Sequence, residues 1–182
     1  MAAVVLIAVG LLFPLLAFSN KTDDFADSFP KKDPSTNQTI PPAWTLDGED
    51  YLRVYSPDDY QAIQFMQDQL APGIIAEAIG GEYSEYARIS TYSGMPAVLG
   101  WPGHESQWRG GDKEMGTRQD DIATLYTTRD WNAAQAILTK YGIRYIYIGS
   151  LERGKYGVSE DKFTQHLSKV YDQGQVVIYV VP

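Results

Sequence analysis

Side chains that could carry chemistry are densest in the segment GWPGHESQWR near the middle of the chain. His104 and Glu105 stand side by side there, and an imidazole next to a carboxylate can transfer protons. Trp101 and Trp108 offer flat faces that suit sugar rings or cations. Arg109 can pair with a phosphate or a carboxylate. The alternative is a rigid loop held by its aromatic rings, in which the imidazole only donates to a backbone carbonyl, and the spacing leaves both interpretations open.

Two further carboxylates, Glu77 and Glu152, are candidate binding residues because of their positions in the sequence. Glu77 interrupts an apolar run, where an ionised group is costly unless it is paired. We expect it over a pocket at a strand end, at a solvent-facing position, or in an ion pair with Arg88. Glu152 and Arg153 follow the clearest strand, and ligands of open α/β sheets bind at such ends. The same segment is also typical of a solvated turn with a Glu–Arg pair.

The composition excludes several classes of protein. The 182 residues contain no cysteine, which rules out a disulfide scaffold and a zinc–thiolate site. The net charge of −8 argues against binding to nucleic acid, which needs clustered lysines and arginines. No P-loop, GxGxxG or GxSxG motif occurs, so nucleotide and serine-hydrolase chemistry have no support. The adjacent His–Glu pair lacks the i, i+4 spacing of a helical metal site, and no cofactor is predicted.

The first 18 residues are apolar and uncharged, and they are long enough for a marginal membrane span. A secretory signal peptide is the competing interpretation, and the lack of a positive charge before the apolar core favours the transmembrane helix. Residues 19–43 are polar and carry four prolines, which predicts a flexible linker. Both interpretations of the leader place residues 19–182 outside the cytoplasm.

Residues 44–182 alternate between helical and strand periodicity, which predicts a single α/β domain. Ser56 is expected to begin one helix and Thr128 another, which ends at Gly142. The run IRYIYI comes directly after that helix and predicts a strand in a parallel pair. The run IIAEAI predicts a shorter strand, Ser159 a short helix, and the closing run KVYDQGQVVIYVV a hairpin. The expected fold is a mixed, partly parallel sheet flanked by helices, with a C-terminal β-hairpin.

The segment from Glu77 to Arg109 resembles a family of large polytopic membrane proteins of Chloroflexi and archaea, the YYY membrane proteins or DUF2298. The shared residues read EA-GG-YSEYARIS-SG-P-VLGWPGHE-QWRG, of which LGWPGHE-QWRG is the specific part. The motifs DDI-x-x-LY, YGIRY and GSLER match further along in the same order, as does a closing V-Y-x-x-G-x-V-x-I-Y pattern. The resemblance covers roughly Trp44 to Pro182.

Members of that family look like lipid-linked sugar transferases of the GT-C type, with many spans and a C-terminal extracytoplasmic α/β domain. The resemblance implies that this chain is the tail of such a protein in the cell membrane, beside its remaining transmembrane part and a lipid-linked sugar or glycan. The catalytic acid is then expected outside this chain, which leaves a substrate-binding or accessory domain. The alternative is an anchored module that contacts a protein partner. The substrate-binding candidates are Glu77, Tyr83, Tyr86, Arg88, Trp101, His104, Glu105, Trp108, Arg109, Glu152 and Arg153.

Overall fold

The computed structural model describes residues 5, 7, 9–14, 16, 17 and 47–182. The described residues of the leader are helical. In the described part of the chain, no helix combines the length and the apolar character needed to cross a membrane. Several residues of the expected span over 1–18, and the whole expected linker over 19–43, lie outside the described residues. Both therefore stay predictions.

Residues Asp47–Pro182 form one compact unit around a mixed four-stranded sheet. β1 pairs with β2 in parallel, and β4 runs antiparallel to both β2 and β3, which gives the order β1-β2-β4-β3. The α/β class, the parallel pair and the C-terminal hairpin are thus confirmed. The strands are β1 (Ile74–Ala76), β2 (Ile143–Ile148), β3 (Ser168–Gln173) and β4 (Val176–Val180).

Helices flank this sheet. The second of them begins directly after Ser56 and carries proline at its first turn, as predicted. Two segments that were expected as loops, residues 102–109 and 150–156, are helical as well. Within residues 47–182 the helices are α1 (Gly48–Tyr55), α2 (Pro57–Gln69), α3 (Arg88–Ser93), α4 (Pro102–Arg109), α5 (Arg118–Thr127), α6 (Trp131–Tyr141), α7 (Ser150–Tyr156) and α8 (Asp161–His166).

The core consists of two apolar clusters, and the inner strand β2 contributes side chains to both. Successive side chains of a strand point to opposite faces of the sheet. Tyr145 and Tyr147 accordingly pack with residues of α2, among them Ile63. Ile146 and Ile148 pack in the other cluster with residues of α5 and α6. β2 is therefore covered on both faces, which explains why its sequence is almost continuously apolar.

Two of the predicted helix starts are wrong in detail. Asp130, not Thr128, caps α6, because the Asp130 carboxylate accepts a hydrogen bond from the amide two residues further on. Helix α8 begins later than expected, at Asp161, so Glu160 and not Ser159 occupies the N-cap position, and its side chain forms no capping hydrogen bond. The end of α6 is confirmed, since Gly142 adopts the left-handed conformation with φ at 61°.

Candidate functional site

The structure separates most of the candidate residues into two groups. One group is closed and charged, and the other is open and aromatic. The buried ionic cluster comprises Asp59, Arg88, Tyr147 and Glu152, and the ring cluster comprises Tyr83, Trp101, His104 and Trp108.

The buried ionic cluster is built around the guanidinium of Arg88. Its Nε donates to Asp59 Oδ2 at 2.6 Å and its Nη2 to Glu152 Oε2 at 3.3 Å. Tyr147 Oη donates to Asp59 Oδ1 at 2.5 Å. Burial disfavours the charge of Arg88, but Glu152 and Asp59 outweigh that effect and raise its pKa. Burial, helped by Asp59, raises the pKa of Tyr147 well above its ordinary value. Every group in this cluster is thus engaged with another.

The expectation of a solvated turn after β2 is wrong, as the position of Glu152 shows. The residue lies in the first turn of α7 and is fully buried. Its carboxylate accepts from the amides of Ala78 and Gly149, both at 2.8 Å. Arg153 points to a different partner, Glu160, at 2.8 Å. Consecutive residues of a helix lie on different faces, so a Glu152–Arg153 pair cannot form once this segment is helical.

Glu77 is also buried, and it caps a helix. Its side chain is 1% exposed and accepts from the amides of Ile89 and Ser90, both at 3.0 Å, in the first turn of α3. The expectations of a solvent-facing position and of a direct pair with Arg88 are therefore wrong. Burial raises the pKa of Glu77, and the hydrogen bonds from Ser90 and Ile89, with the charge of Arg88, oppose that shift only in part.

The ring cluster forms around α4, in the segment expected as a loop: His104 and Trp108 belong to the helix, Trp101 directly precedes it, and Tyr83 packs against it from outside. Pro102 occupies the first helical position, where its missing amide hydrogen costs nothing. His104 and Trp108 are then one turn apart, and their rings stack at 5.0 Å. Trp101 lies edge-on to His104 at 5.2 Å, and Tyr83 does so at 5.0 Å. The four rings thereby form one continuous patch.

Two members of this patch are largely exposed, Tyr83 by 87% and Trp108 by 77%. Tyr83 also adopts a left-handed backbone conformation, with φ at 54°, which is uncommon for a residue other than glycine. Trp101 anchors the cluster, because its Nε1 donates to the Tyr86 carbonyl at 2.8 Å. Backbone strain and large exposed rings together are typical of a functional surface.

Tyr86, whose carbonyl accepts the Trp101 hydrogen bond, is itself held by close contacts of its ring. A Cβ atom built on Gly80 would come within 1.9 Å of the Tyr86 ring, so only glycine allows this close approach. On the same ring, Lys155 places its ammonium 4.8 Å from the centroid. Tyr86 therefore connects the ring cluster to helix α7.

A cavity of about 280 Å³ lies beside α4. Glu105 and Arg109 line it with Glu114 and Arg118, and Arg109 bridges the two carboxylates, with 2.9 Å to Glu114. Its charged walls offer both donors and acceptors to a hydroxylated ligand. Among the described residues, no hydrogen bond joins His104 to Glu105, and no group of histidine and carboxylate side chains could hold a metal ion.

Sequence reasoning missed two members of the buried ionic cluster, Asp59 and Tyr147. A signal for Asp59 exists, because it precedes Ile63 by four residues and Met66 by seven, which places it on the buried face of α2. Tyr147 had no such signal, since tyrosine is common on both faces of a strand.

No protein-family model matches the chain, and no curated protein matches it either. The resemblance to the YYY membrane proteins therefore stays a prediction. One matching solved structure is the C-terminal globular domain of oligosaccharyltransferase from Archaeoglobus fulgidus, with a TM-score of 0.43 and 16% identity. The match covers 68% of this chain and 97% of that one. Fold and site together define an α/β domain that presents an exposed aromatic patch next to a polar cavity.

Proposed function

We propose that residues 47–182 form an accessory, glycan-binding domain of a GT-C-like membrane glycosyltransferase, with no catalysis of its own. The single observation that carries this proposal is the ring cluster, four aromatic rings in contact with two of them largely exposed. Aromatic faces bind the apolar faces of sugar rings, and the neighbouring charged cavity supplies partners for hydroxyl groups. The motif LGWPGHE-QWRG, on which the resemblance to the YYY membrane proteins depends, contains three of the four rings.

The buried ionic cluster supports the accessory role. Its carboxylates are engaged by Arg88, by Tyr147 and by backbone amides, so they are not available as acids or nucleophiles. The same proposal places this domain on the extracytoplasmic side of the cell membrane, near the remaining transmembrane part of the protein. The lipid-linked sugar, or the glycan that receives it, is the expected ligand of the ring cluster.

The test is a fluorescence and NMR titration of the full chain with chitotriose, mannotriose and cellotriose. We expect at least one of them to bind, and Trp108→Ala to weaken that binding at least about tenfold, because a largely exposed ring is lost without any loss of core packing. Tyr51→Ala is the matched control, since Tyr51 is an exposed ring of α1 outside the cluster. The control should bind the sugar as the wild type does.

Two results would contradict the proposal. The first is the absence of binding to all three saccharides, which is the result expected if the ring cluster contacts a protein partner. The second is sugar transfer by the chain alone, supplied with an undecaprenyl-phosphate-linked sugar, which would contradict the accessory role.

A further inference from the structure

A second and larger cavity, of about 770 Å³, lies at the junction of α5, α6 and α8. It shares no lining residue with the ring cluster. Its wall includes Trp131 and His166, whose rings stack at 4.4 Å and are nearly parallel at 11°. Trp131 also packs against the apolar core, so His166 forms the exposed side of this pair. The cavity is therefore a separate feature of the fold with its own aromatic surface.

Lys162 gives this cavity a buried positive group. The residue is 3% exposed, and its ammonium donates to the carbonyls of Tyr126 at 3.1 Å and Ser159 at 2.8 Å. The ammonium also lies 4.1 Å from the centroid of the Phe163 ring, so its contacts are two carbonyl oxygens and one aromatic face. Among the described residues no carboxylate pairs with it, and burial lowers its pKa to about 8. The group thus remains mostly charged at neutral pH without a neutralising partner.

Arg129 adds a second positive group. Its side chain is exposed and forms no hydrogen bond or ion pair with any residue in the described part of the chain. Of the two carboxylates in the wall, Glu160 is already paired with Arg153 at 2.8 Å, which leaves Asp161. Two cations and one carboxylate without an ion pair to any described residue therefore line the cavity, which makes it locally positive in a chain of net charge −8.

We propose that this cavity binds a small anionic ligand, one that carries a carboxylate or a phosphate group. Arg129 contacts the anion, since a guanidinium without a partner offers paired donors that match both groups. The buried Lys162 contributes a fixed positive charge to the cavity wall. The exposed face of the His166 ring packs against the part of the ligand that does not carry the charge. A sugar acid would supply the carboxylate, and a phosphorylated metabolite would supply the phosphate group.

The chain contains only two histidines, which makes the test simple. In proton NMR of the full chain, the imidazole signals are assigned with the variant His104→Gln. The probes are sodium phosphate and sodium glucuronate at constant pH and ionic strength, with glucose as the neutral control. We expect one or both anions to shift the His166 signal saturably below ~50 mM, while glucose leaves it in place.

The contact residue is tested by Arg129→Gln, which should weaken binding of the active anion about tenfold or more. Arg144→Gln removes an exposed arginine outside the cavity and should leave the affinity unchanged. Saturation by glucuronate alone identifies a carboxylate ligand, saturation by phosphate alone a phosphoryl ligand, and either supports the proposal. A signal that neither anion shifts, or an equal loss of affinity in the two arginine variants, would overturn it.

Discussion

Replacing Arg88 by methionine is expected to lower the free energy of unfolding by about 3–5 kcal/mol, measured by urea denaturation at neutral pH. The guanidinium is 5% exposed and pairs with Asp59 and Glu152, whose side chains are 8% and 0% exposed. Methionine fills a similar volume but leaves two buried carboxylates without a positive partner. Most of the loss therefore comes from the uncompensated charges that stay behind, not from the missing contacts of the arginine.

Arg153→Met is the matched control for this change. Arg153 also pairs with a glutamate, but its side chain is 36% exposed, so its loss should cost no more than about 1 kcal/mol. If Arg88→Met does not fold, Arg88→Lys keeps the charge but loses the two-pronged contact with Asp59, and an intermediate loss is expected. Equal losses in Arg88→Met and Arg153→Met would show that the cluster does not depend on its central cation.

The second large effect is expected for Glu77→Ala, which should cost about 3 kcal/mol. The change removes the acceptor of the Ile89 and Ser90 amides, the first of which belongs to a fully buried residue. An unpaired buried amide costs about 1–3 kcal/mol, and the deleted side chain leaves a cavity as well. Glu105→Ala serves as the control in the same denaturation series, because its partly exposed carboxylate only pairs with Arg109.

The pH dependence of Glu77 has a defined sign. Burial raises the pKa of Glu77 above its ordinary value, so the folded protein holds that proton more tightly than the unfolded chain does. The stability that protonation of Glu77 contributes is complete below the pKa of this group in the unfolded chain and is lost as the pH rises through its pKa in the folded protein. The stability of the wild type relative to Glu77→Gln should therefore decline over that range. A difference that is flat, or that grows with pH, would refute this assignment.

Local patterns in the sequence were sufficient for the parts of the fold that depend on neighbouring residues. The run IRYIYI predicts β2, because β-branched and aromatic residues favour strands. Two further runs of that kind flank Gly174 and predict the hairpin of β3 and β4, with the glycine in its turn. Gly142 ends α6 for an equally local reason. Such features need no knowledge of distant residues, and the structure agrees with the prediction in each case.

The candidate site was harder to predict for two different reasons. The buried ionic cluster joins Arg88 to Asp59 and Glu152 across 29 and 64 residues, and a single sequence gives no register for such pairings. Three rings of the ring cluster lie close together in the sequence, from Trp101 to Trp108, but the glycines and the proline of that segment predict a loop. A proline at the first helical turn and the spacing of His104 and Trp108 fit a short helix equally well.

The position of β4 in the sheet affects how the protein can fold while it is being synthesised. β4 lies between β2 and β3, yet residues 176–180 leave the ribosome about thirty residues after β2 does. The hairpin turn also depends on an early residue, since the Gln175 amide donates to Asp58 at 3.0 Å across 117 residues. Until the hairpin emerges, β2 has no β4 to pair with. The nascent chain then exposes an apolar strand edge, which can aggregate or bind a chaperone.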